Sequence, residues 1–567
     1  MARTIERPPT TIISRPISSS RRELIEIQRE IVEELKQEIE MSVGKATTES
    51  QVYLEEYARE FEQYQRLSNW GELIANVRKA DIVYNGDYHT MAQAQRIPLR
   101  LLREIVPYHR EVTLALEMVR IEHQKQLDSF MRGKLTEEKF LEAIDYDRTW
   151  GFPWEYYKDL FIFARERGVR VIGINSEPKK GRGVLKRRDR SAARVIAREH
   201  LANPERLIYV FDGDLHVAPT HLPAAVNALL AEFNGNIKSV IVYQNNEQIY
   251  WKLARLGIEQ ETDVVLISKG KFCVMSTPPV IKFQSYFNWI DNTRELTSPV
   301  TQTWRPDLAG EEDLYSQVLR LVRMIAEFLE IEVEGLADFV VYSPADLDFL
   351  DELKTDAQFT PAELAAISTH IRTNESYFIE KGSIIYIANL SINHAAEESA
   401  HFIHTVCAGP RRSDINMVED FYCRVMREAV GFFGSKVVNH KRPCFGLNDF
   451  KYLKRRYPTK PPEQTTEMIS IGKLVRKHKQ WEKSYLSRGK PWKTEGPMYN
   501  LPLGIHIGVT HALGYMLGYR LFEGLMKGTI EKKTVRDLFF TNLSDLSQSL
   551  GIYLRSISSM SRSGRLR

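Results

Sequence analysis

The sequence predicts an α/β fold: a mostly parallel sheet covered by helices, preceded by a helical arm and followed by a mainly α-helical domain. Three observations lead to this fold class. Short runs rich in Val, Ile and Leu recur between residues 78 and 277, the segments between them have helical spacing, and such runs are scarce after residue 294. A parallel crossover needs a covering helix, so the alternation favours a parallel sheet.

Composition limits the class of protein. The 567 residues are 43% hydrophobic and 27% charged, which excludes a mainly disordered, collagenous or coiled-coil chain. The net charge of +4 is small, so we do not expect nucleic acid as a partner. The four cysteines form no CxxC pair, and neither a secretory signal nor an unbroken apolar run of membrane-spanning length is readable. These features predict a soluble, cytoplasmic protein without a membrane segment.

The first elements are two charged helices. Residues 1–20 are rich in Ser, Arg and Pro and predict a disordered tail. Residues 21–77 predict a helical arm, with helices in RELIEIQREIVEELKQEIE and SQVYLEEYAREFEQYQRL. Such a pair is typical of a packing arm or an oligomerisation device, so a homo-oligomer formed through this arm is expected.

Residues 78–293 predict the α/β domain. The expected strands are ADIVYNG, VTLALEM, VRVIGIN, RLIYVFDG, SVIVYQN, DVVLISKG and KFCVMST, the last two forming an edge hairpin. Because these runs are apolar on both faces, they fit burial under helices on both sides of the sheet. RIPLRLLREIV, FPWEYYKDLFIFARERG and SAARVIAREHL are among the expected crossover helices.

Residues 294–555 predict a helical domain with one β-hairpin, SYFIEKGSIIYIANL, which turns at Lys381-Gly382. The glycines at 504, 508, 514 and 518 predict close helix packing. The run from 473 to 493 interleaves aromatic residues with Lys and Arg; RNA or an anionic surface would explain it, and so would an amphipathic surface helix. Residues 556–567 predict a basic, Ser-rich tail.

Polar side chains follow the predicted parallel strands, where ligands bind in such sheets. The segments are Gly86-Asp87-Tyr88-His89, Glu117 with Arg120, Asn175-Ser176-Glu177, Gly213-Asp214-Leu215-His216 and Gln244-Asn245-Asn246. Beside them, the basic run 179–190 is either a solvated loop or a segment that binds an anionic group.

Two of these segments share the pattern Gly-x-x-His, and this repetition predicts a metal site. His89, His216 and Glu117 would supply three ligands to a divalent metal and leave a position open for water. Asp87, Asp214 or Arg120 would orient the ligands or stabilise charge. The alternative is that each motif arises by chance and its histidine caps a helix.

A second constellation is predicted on a helix. NHAAEESAHFIH places His394, Glu398 and His401 on one stripe, and the Glu-x-x-His spacing resembles that of carboxylate-bridged metal sites in helical bundles. The expected additional donors are Glu419, Asp420, Glu428, His506 and His511. The alternatives are a solvent-facing stripe or a buried polar network.

Several segments resemble the ChaN-like haem-binding family of the Tiki/TraB/erythromycin-esterase superfamily. They are GDYH at 86–89, ALEMVR at 115–120, WGFPWEYYKDLFIFARERGVRVIGIN at 150–175 and GDLHVAPTHLP at 213–223. The resemblance covers about residues 78–293. It implies a site with two GxxH motifs, a Glu and an Arg, which correspond here to His89, His216, Glu117 and Arg120.

The resemblance implies haem binding linked to iron uptake for ChaN-like members and metal-dependent proteolysis for Tiki-like members. Tyr88 is then the first candidate haem ligand, with Asp87 and Asp214 beside it; for Tyr156 and Tyr157, packing on the sheet is the alternative. Three functions follow as hypotheses. The first is haem or iron binding, and the second is a metal-dependent hydrolase acting on a small molecule or peptide, with Glu117 and Arg120 as catalytic residues. The third is a non-catalytic assembly module.

Overall fold

The computed structural model describes residues 17–43, 48–108, 111–176, 183–231, 237–296, 311–344, 346–372, 375–388, 391–411, 415–456, 463–545 and 548–562. The outer parts of the two predicted tails, and Glu177, lie outside these residues. The described chain divides into two compact units: Val32–Trp304 forms the body of the first, and Ile17–Ile31 with Arg305–Arg567 forms the second.

The first unit contains an eight-stranded, mostly parallel sheet, which confirms the predicted fold class. Its strands are β1 (Arg66–Ser68), β2 (Ile82–Asp87), β3 (Val112–Arg120), β4 (Arg170–Asn175), β5 (Leu207–Gly213), β6 (Ser239–Gln244), β7 (Val264–Ser268) and β8 (Lys271–Val274). Their order is β1-β7-β8-β6-β2-β5-β3-β4. The strands from β8 to β4 are parallel, whereas β7 is antiparallel to β8 and β1 to β7.

The first unit also contains helices, the first of which is shared with the second unit. They are α1 (Ser19–Val43), α2 (Thr48–Arg59), α3 (Trp70–Val77), α4 (Ala92–Ile105), α5 (Gln124–Met131), α6 (Glu137–Ala143), α7 (Tyr146–Thr149), α8 (Lys158–Arg167), α9 (Val184–Ala202), α10 (Leu222–Ala231), α11 (Glu247–Arg255) and α12 (Pro279–Leu296). Short 3₁₀ turns cover Val106–Tyr108, Ile121–His123 and Trp154–Tyr156. All residues of β2 and β5 are buried, as expected for strands with helices on both faces.

The sequence did not predict β1. The predicted second helix runs to residue 67, whereas α2 ends at Arg59 and residues 66–68 pair with β7. The backbone N–H of Gln65 also donates to the carbonyl of Leu266 (2.9 Å). The open edge of β7 satisfies these backbone groups, and this tertiary pairing overrides the local helical spacing.

The second unit is mainly helical. Its helices are α13 (Glu311–Phe328), α14 (Phe349–Thr355), α15 (Pro361–Arg372), α16 (Ile392–Ala408), α17 (Met417–Val438), α18 (Leu447–Arg456), α19 (Glu463–Arg488), α20 (Leu503–Met526), α21 (Lys532–Phe539) and α22 (Ser549–Arg562), with a 3₁₀ turn at Pro497–Tyr499. The helix α22 extends into the segment predicted as a basic tail. No helix among the described residues has the length and apolarity needed to cross a membrane.

Strands β9 (Val340–Tyr342), β10 (Tyr377–Ile379) and β11 (Ile384–Tyr386) form a small sheet. The predicted hairpin is confirmed, because β10 and β11 are antiparallel and Gly382 adopts φ +83° in the turn. The predicted close packing of α20 is also confirmed. A Cβ at Gly518 would lie 2.4 Å from the carbonyl oxygen of Ala429 on α17.

The beginning of α1 belongs to this helical unit. The hydroxyl of Ser18 donates to the carbonyl of Met526 (2.9 Å), and the side-chain amide of Gln28 donates to the carbonyl of Val437 (3.1 Å). Glu23 also forms an ion pair with Lys532. Residues more than 400 positions apart therefore complete one fold.

Candidate functional site

The site is centred on Gly213, the last residue of β5. A Cβ built on Gly213 would lie 3.2 Å from Nε2 of His89, 3.4 Å from Oε2 of Glu117 and 3.4 Å from Cδ2 of His216. Since β2, β5 and β3 are neighbours, the side chains at their carboxyl ends lie close together at one edge of the sheet. The structure therefore brings together the three residues predicted as strand-end metal ligands.

His89 is held by a carboxylate. Its Nδ1 lies 2.8 Å from Oδ2 of Asp87, which leaves Nε2 directed toward Glu117 at 3.6 Å. Asp87 also accepts hydrogen bonds from Tyr157 (3.0 Å) and Gln95 (2.6 Å). Burial disfavours the imidazolium, but the charges of Asp87 and Glu117 outweigh it and raise the pKa of His89.

His216 has an equivalent arrangement on the other side. Its Nδ1 lies 2.5 Å from Oδ1 of Asp189 on α9, and Oδ2 of Asp189 accepts a hydrogen bond from the Tyr53 hydroxyl (2.8 Å). Tyr53 comes from α2 and stacks on His221 at 3.8 Å. A carboxylate on one ring nitrogen is the usual way that proteins orient a metal-binding histidine, and here it leaves Nε2 of His216 available.

Glu117 lies where β3 is irregular. The register between β3 and β4 shifts between Leu116 and Arg120, and such a bulge redirects side chains at the end of a strand. Oε2 of Glu117 accepts a hydrogen bond from the backbone N–H of Gly213 (2.8 Å), and Oε1 forms an ion pair with Arg188 of α9. Burial opposes ionisation, but Arg188, His89 and His216 together lower the pKa of Glu117 to about 2.

Asp212 completes a candidate metal-binding group. Ligand atoms of Glu117, Asp212 and His216, all buried, lie within 4.8 Å of one another. Burial and the adjacent charge of Glu117 raise the pKa of Asp212. A divalent cation suits this donor set because its positive charge would offset the two neighbouring carboxylates.

A small cavity of about 10 Å³, partly open to solvent, adjoins this group. It is lined by Glu117, Ile174, Asn175, Arg188, Asp189, Ala192, Asp212 and His216. This volume is about that needed for one water molecule and is far below the roughly 300–1,000 Å³ that is usual for pockets holding drug-sized ligands. The cavity therefore has room for a single ion or water molecule, and a haem does not fit inside it.

Asp214 follows Gly213 in the chain and lies next to the site. Its Oδ2 accepts a hydrogen bond from the hydroxyl of Tyr57 and lies 4.0 Å from Nζ of Lys282. Gly86 makes room for this carboxyl, because a Cβ there would lie 2.1 Å from Oδ1 of Asp214. Burial raises the pKa of Asp214, although Lys282 partly opposes this effect.

Tyr88 faces an aromatic rim outside the cavity. Its ring lies 6.2 Å from that of Tyr286 and under Nζ of Lys282 at 4.4 Å. The rim continues through Trp289 and Phe152 to His89, whose ring centroid is 4.8 Å from that of Phe152. Burial raises the pKa of the Tyr88 phenol. These rings form an aromatic cluster that extends from Tyr88 to His89.

Arg120 is not in contact with Glu117. Among the described residues Arg120 forms an ion pair with Glu122, at 3.8 Å from Nη1, whereas Arg188 occupies the place beside Glu117 that the resemblance implied for Arg120. The catalytic role of Arg120 stays a prediction.

The predicted helical constellation forms separate pairs. Nδ1 of His401 lies 3.1 Å from Glu398, and its Nε2 lies 3.2 Å from the carbonyl oxygen of Arg427. Among the expected additional donors, Glu428 lies 3.2 Å from His511, and burial lowers the pKa of His394. In the described part of the chain, the Glu117 group is the only one whose three ligand atoms come within 4.8 Å. Metal binding by His394, Glu398 and His401 stays a prediction.

Sequence reasoning missed Tyr53, Tyr57 and Asp212, and it included Arg188 and Asp189 only as part of the basic run 179–190. The two tyrosines are four residues apart and therefore share a face of α2. Extending the predicted helix SAARVIAREHL back into the basic run, as α9 does, would have placed Arg188 and Asp189 together on that helix. Asp212 lies within the buried strand β5, where the pattern of apolar residues does not distinguish it as a site residue. Helix α2, predicted as part of an arm, thus supplies hydroxyl groups to the site, while oligomerisation through the arm stays a prediction.

A family model agrees with the resemblance. Residues 73–204 match the family model described as “Haem-binding uptake, Tiki superfamily, ChaN”. The chain is similar to a solved structure titled “Cofacial heme binding to ChaN of Campylobacter jejuni”, with 15% identity, 32% of this chain and 87% of that chain covered, and a TM-score of 0.24. It is also similar to the type III effector HopBA1, with 14% identity, 30% and 80% covered, and a TM-score of 0.23. No curated protein matches the chain.

Proposed function

We propose that the strand-end site binds a divalent transition metal through Glu117, Asp212 and His216 and hydrolyses a small polar substrate or a peptide. The observation that carries this proposal is the buried group of three ligand atoms within 4.8 Å beside a small, partly open cavity. The orientation of His216 by Asp189 supports it, because Nε2 is then free to act as a ligand.

The protein's own residues would supply the remaining chemistry. A divalent metal, when bound, provides Lewis acidity. Arg188 lines the cavity and would stabilise negative charge that develops on the substrate. His89 would accept a proton at Nε2, since Asp87 holds its Nδ1 and keeps the ring in position. Gly213 leaves the space in which the reacting groups would meet.

Metal titration tests this proposal. Protein treated with EDTA is titrated with Zn²⁺ or Mn²⁺ by calorimetry, and metal content after dialysis is measured by elemental analysis. We expect about one ion per chain, with affinity lowered at least about 10-fold in Glu117→Gln and His216→Asn. His123→Asn, in the same unit but outside the site, is the matched control. Equal metal binding by all four proteins would refute the proposal.

Haem binding is the second candidate. The family match over residues 73–204 and the aromatic rim around Tyr88 support it. Haemin titration should then produce a Soret band that shifts in Tyr88→Phe and is unchanged in Glu117→Gln. No Soret change up to micromolar haemin, or an identical band in Tyr88→Phe, would remove Tyr88 as a haem ligand.

A further inference from the structure

A basic surface covers one side of α19 in the second unit. Residues 447–493 contain thirteen lysines and arginines but only four acidic residues, although the net charge of the whole chain is only +4. Five exposed cations on α19 define what we call the α19 basic face: Lys473, Arg476, Lys477, Lys483 and Arg488. This local excess of positive charge is therefore not apparent from the net charge of the whole chain.

Helical geometry places these five side chains together. At 100° per residue they fall within an arc of about 140°, and from first to last they extend about 22 Å along the axis. The opposite stripe, Ile471, Val475, His478 and Glu482, is buried. The α19 basic face is therefore a continuous strip rather than scattered surface charge.

The cations of this strip are available to a ligand. In the described part of the chain, no ion pair joins any of the five to a carboxylate, whereas Lys479 on the same helix is paired with Glu482 at 2.6 Å. Trp481 borders the strip, with Nζ of Lys477 at 5.7 Å and Nζ of Lys493 at 5.5 Å from its ring centroid. Tyr452 on neighbouring α18 is 62% exposed.

We propose that the α19 basic face binds single-stranded nucleic acid. Cations spread over about 22 Å match a polyanion better than a single phosphate group. Insertion into a membrane is disfavoured because the apolar stripe of α19 is already buried in its own unit. The rings of Trp481 and Tyr452 offer stacking surfaces that a base can use. This proposal is independent of the strand-end site.

Fluorescence anisotropy with a labelled 20-residue oligouridylate tests the proposal on the full chain. If all five cations contact phosphates, log Kd should change with log salt with a slope of about 3.5, which is roughly 100-fold weaker binding at 200 mM than at 50 mM salt. The triple variant Lys473→Glu, Arg476→Glu and Lys477→Glu should reduce this slope by about 2. The neutral variant with Gln at the same positions checks that loss of positive charge, and not new repulsion, causes the effect.

A matched control carries Lys125→Glu, Lys134→Glu and Lys139→Glu, three exposed lysines of the first unit. It changes the net charge equally and should leave binding almost unchanged. Circular dichroism verifies that every variant is folded. Three outcomes would overturn the proposal: no binding at 50 mM salt, equal loss in the control, or binding to phosphatidylserine vesicles without binding to the oligonucleotide.

Discussion

Removing the guanidinium beside Glu117 should destabilise the first unit in a manner that depends on pH. In Arg188→Met the apolar stem is largely kept, but a buried carboxylate loses its main cationic partner. The pKa of Glu117 is lowered from 4.5 to about 2 in the folded chain, and this difference corresponds to about 3 kcal/mol of stability. A lowered carboxyl pKa contributes this stability above pH 4.5 and loses it as the pH falls toward 2.

The variant should therefore lose about 2–3 kcal/mol at pH 7, and the difference from the original protein should shrink as the pH approaches 3. Guanidinium denaturation of EDTA-treated protein, followed by tryptophan fluorescence from pH 3 to pH 7, measures it. Arg190→Met, an exposed arginine on the same helix, is the control and should cost less than about 0.5 kcal/mol. An equal loss at pH 3 and pH 7 would show that Arg188 acts by packing and would refute the electrostatic reasoning.

Three further predictions address other parts of the molecule. Gly213→Ala should lower metal affinity about 10-fold or more and reduce the free energy of unfolding by about 1–3 kcal/mol, because the new Cβ would crowd the side chains of His89, Glu117 and His216. An unchanged affinity measured by calorimetry would contradict this prediction. Tyr53→Phe should cost about 1.5–3 kcal/mol in chemical denaturation by removing a hydrogen bond to a carboxylate. Tyr84→Phe removes a buried hydroxyl that has no hydrogen-bond partner among the described residues, so it should be neutral or stabilising. The reverse ranking of the two variants would be inconsistent with the structure. Burial lowers the pKa of His404 and of His478 to about 3. The stability that depends on these neutral imidazoles should be complete above pH 6.5, and each histidine should reduce the free energy of unfolding by about 1.4 kcal/mol per pH unit below pH 6.5. Equal melting temperatures at pH 7 and pH 5 would disprove this.

The sheet could be predicted from the sequence because its signal is local. Buried strands such as β2 and β5 are short apolar runs, and the Gly-x-x-His motif that begins within the last residues of each one marks a strand end. The convergence of His89, Glu117 and His216 follows from the parallel order of the strands. Once that order is assumed, general rules for such sheets place the three side chains at one edge.

The rest of the site depends on tertiary contacts that have no local signal. Tyr53 reaches Asp189 across 136 positions of sequence, and no spacing rule connects a charged N-terminal helix with a carboxylate of α9. Arg188 replaces Arg120 beside Glu117 because α9 begins at Val184, inside a run that also suits a solvated loop. Short strand β1 was missed because it is stabilised by its partner β7 and not by its own residues.

The link between Ser18 and Met526 has a consequence during synthesis. The two residues are separated by 508 positions, so the first turn of α1 leaves the ribosome long before its acceptor exists. At a translation rate of 5–20 residues per second, this interval is roughly 25 to 100 s. The strand-rich unit can assemble from nascent chain in that time, whereas the helical unit must await release of the carboxyl-terminal helices. Chaperones that shield apolar helix surfaces should therefore bind ribosome-attached chains of this protein mainly through residues 17–31 and the segments after residue 311.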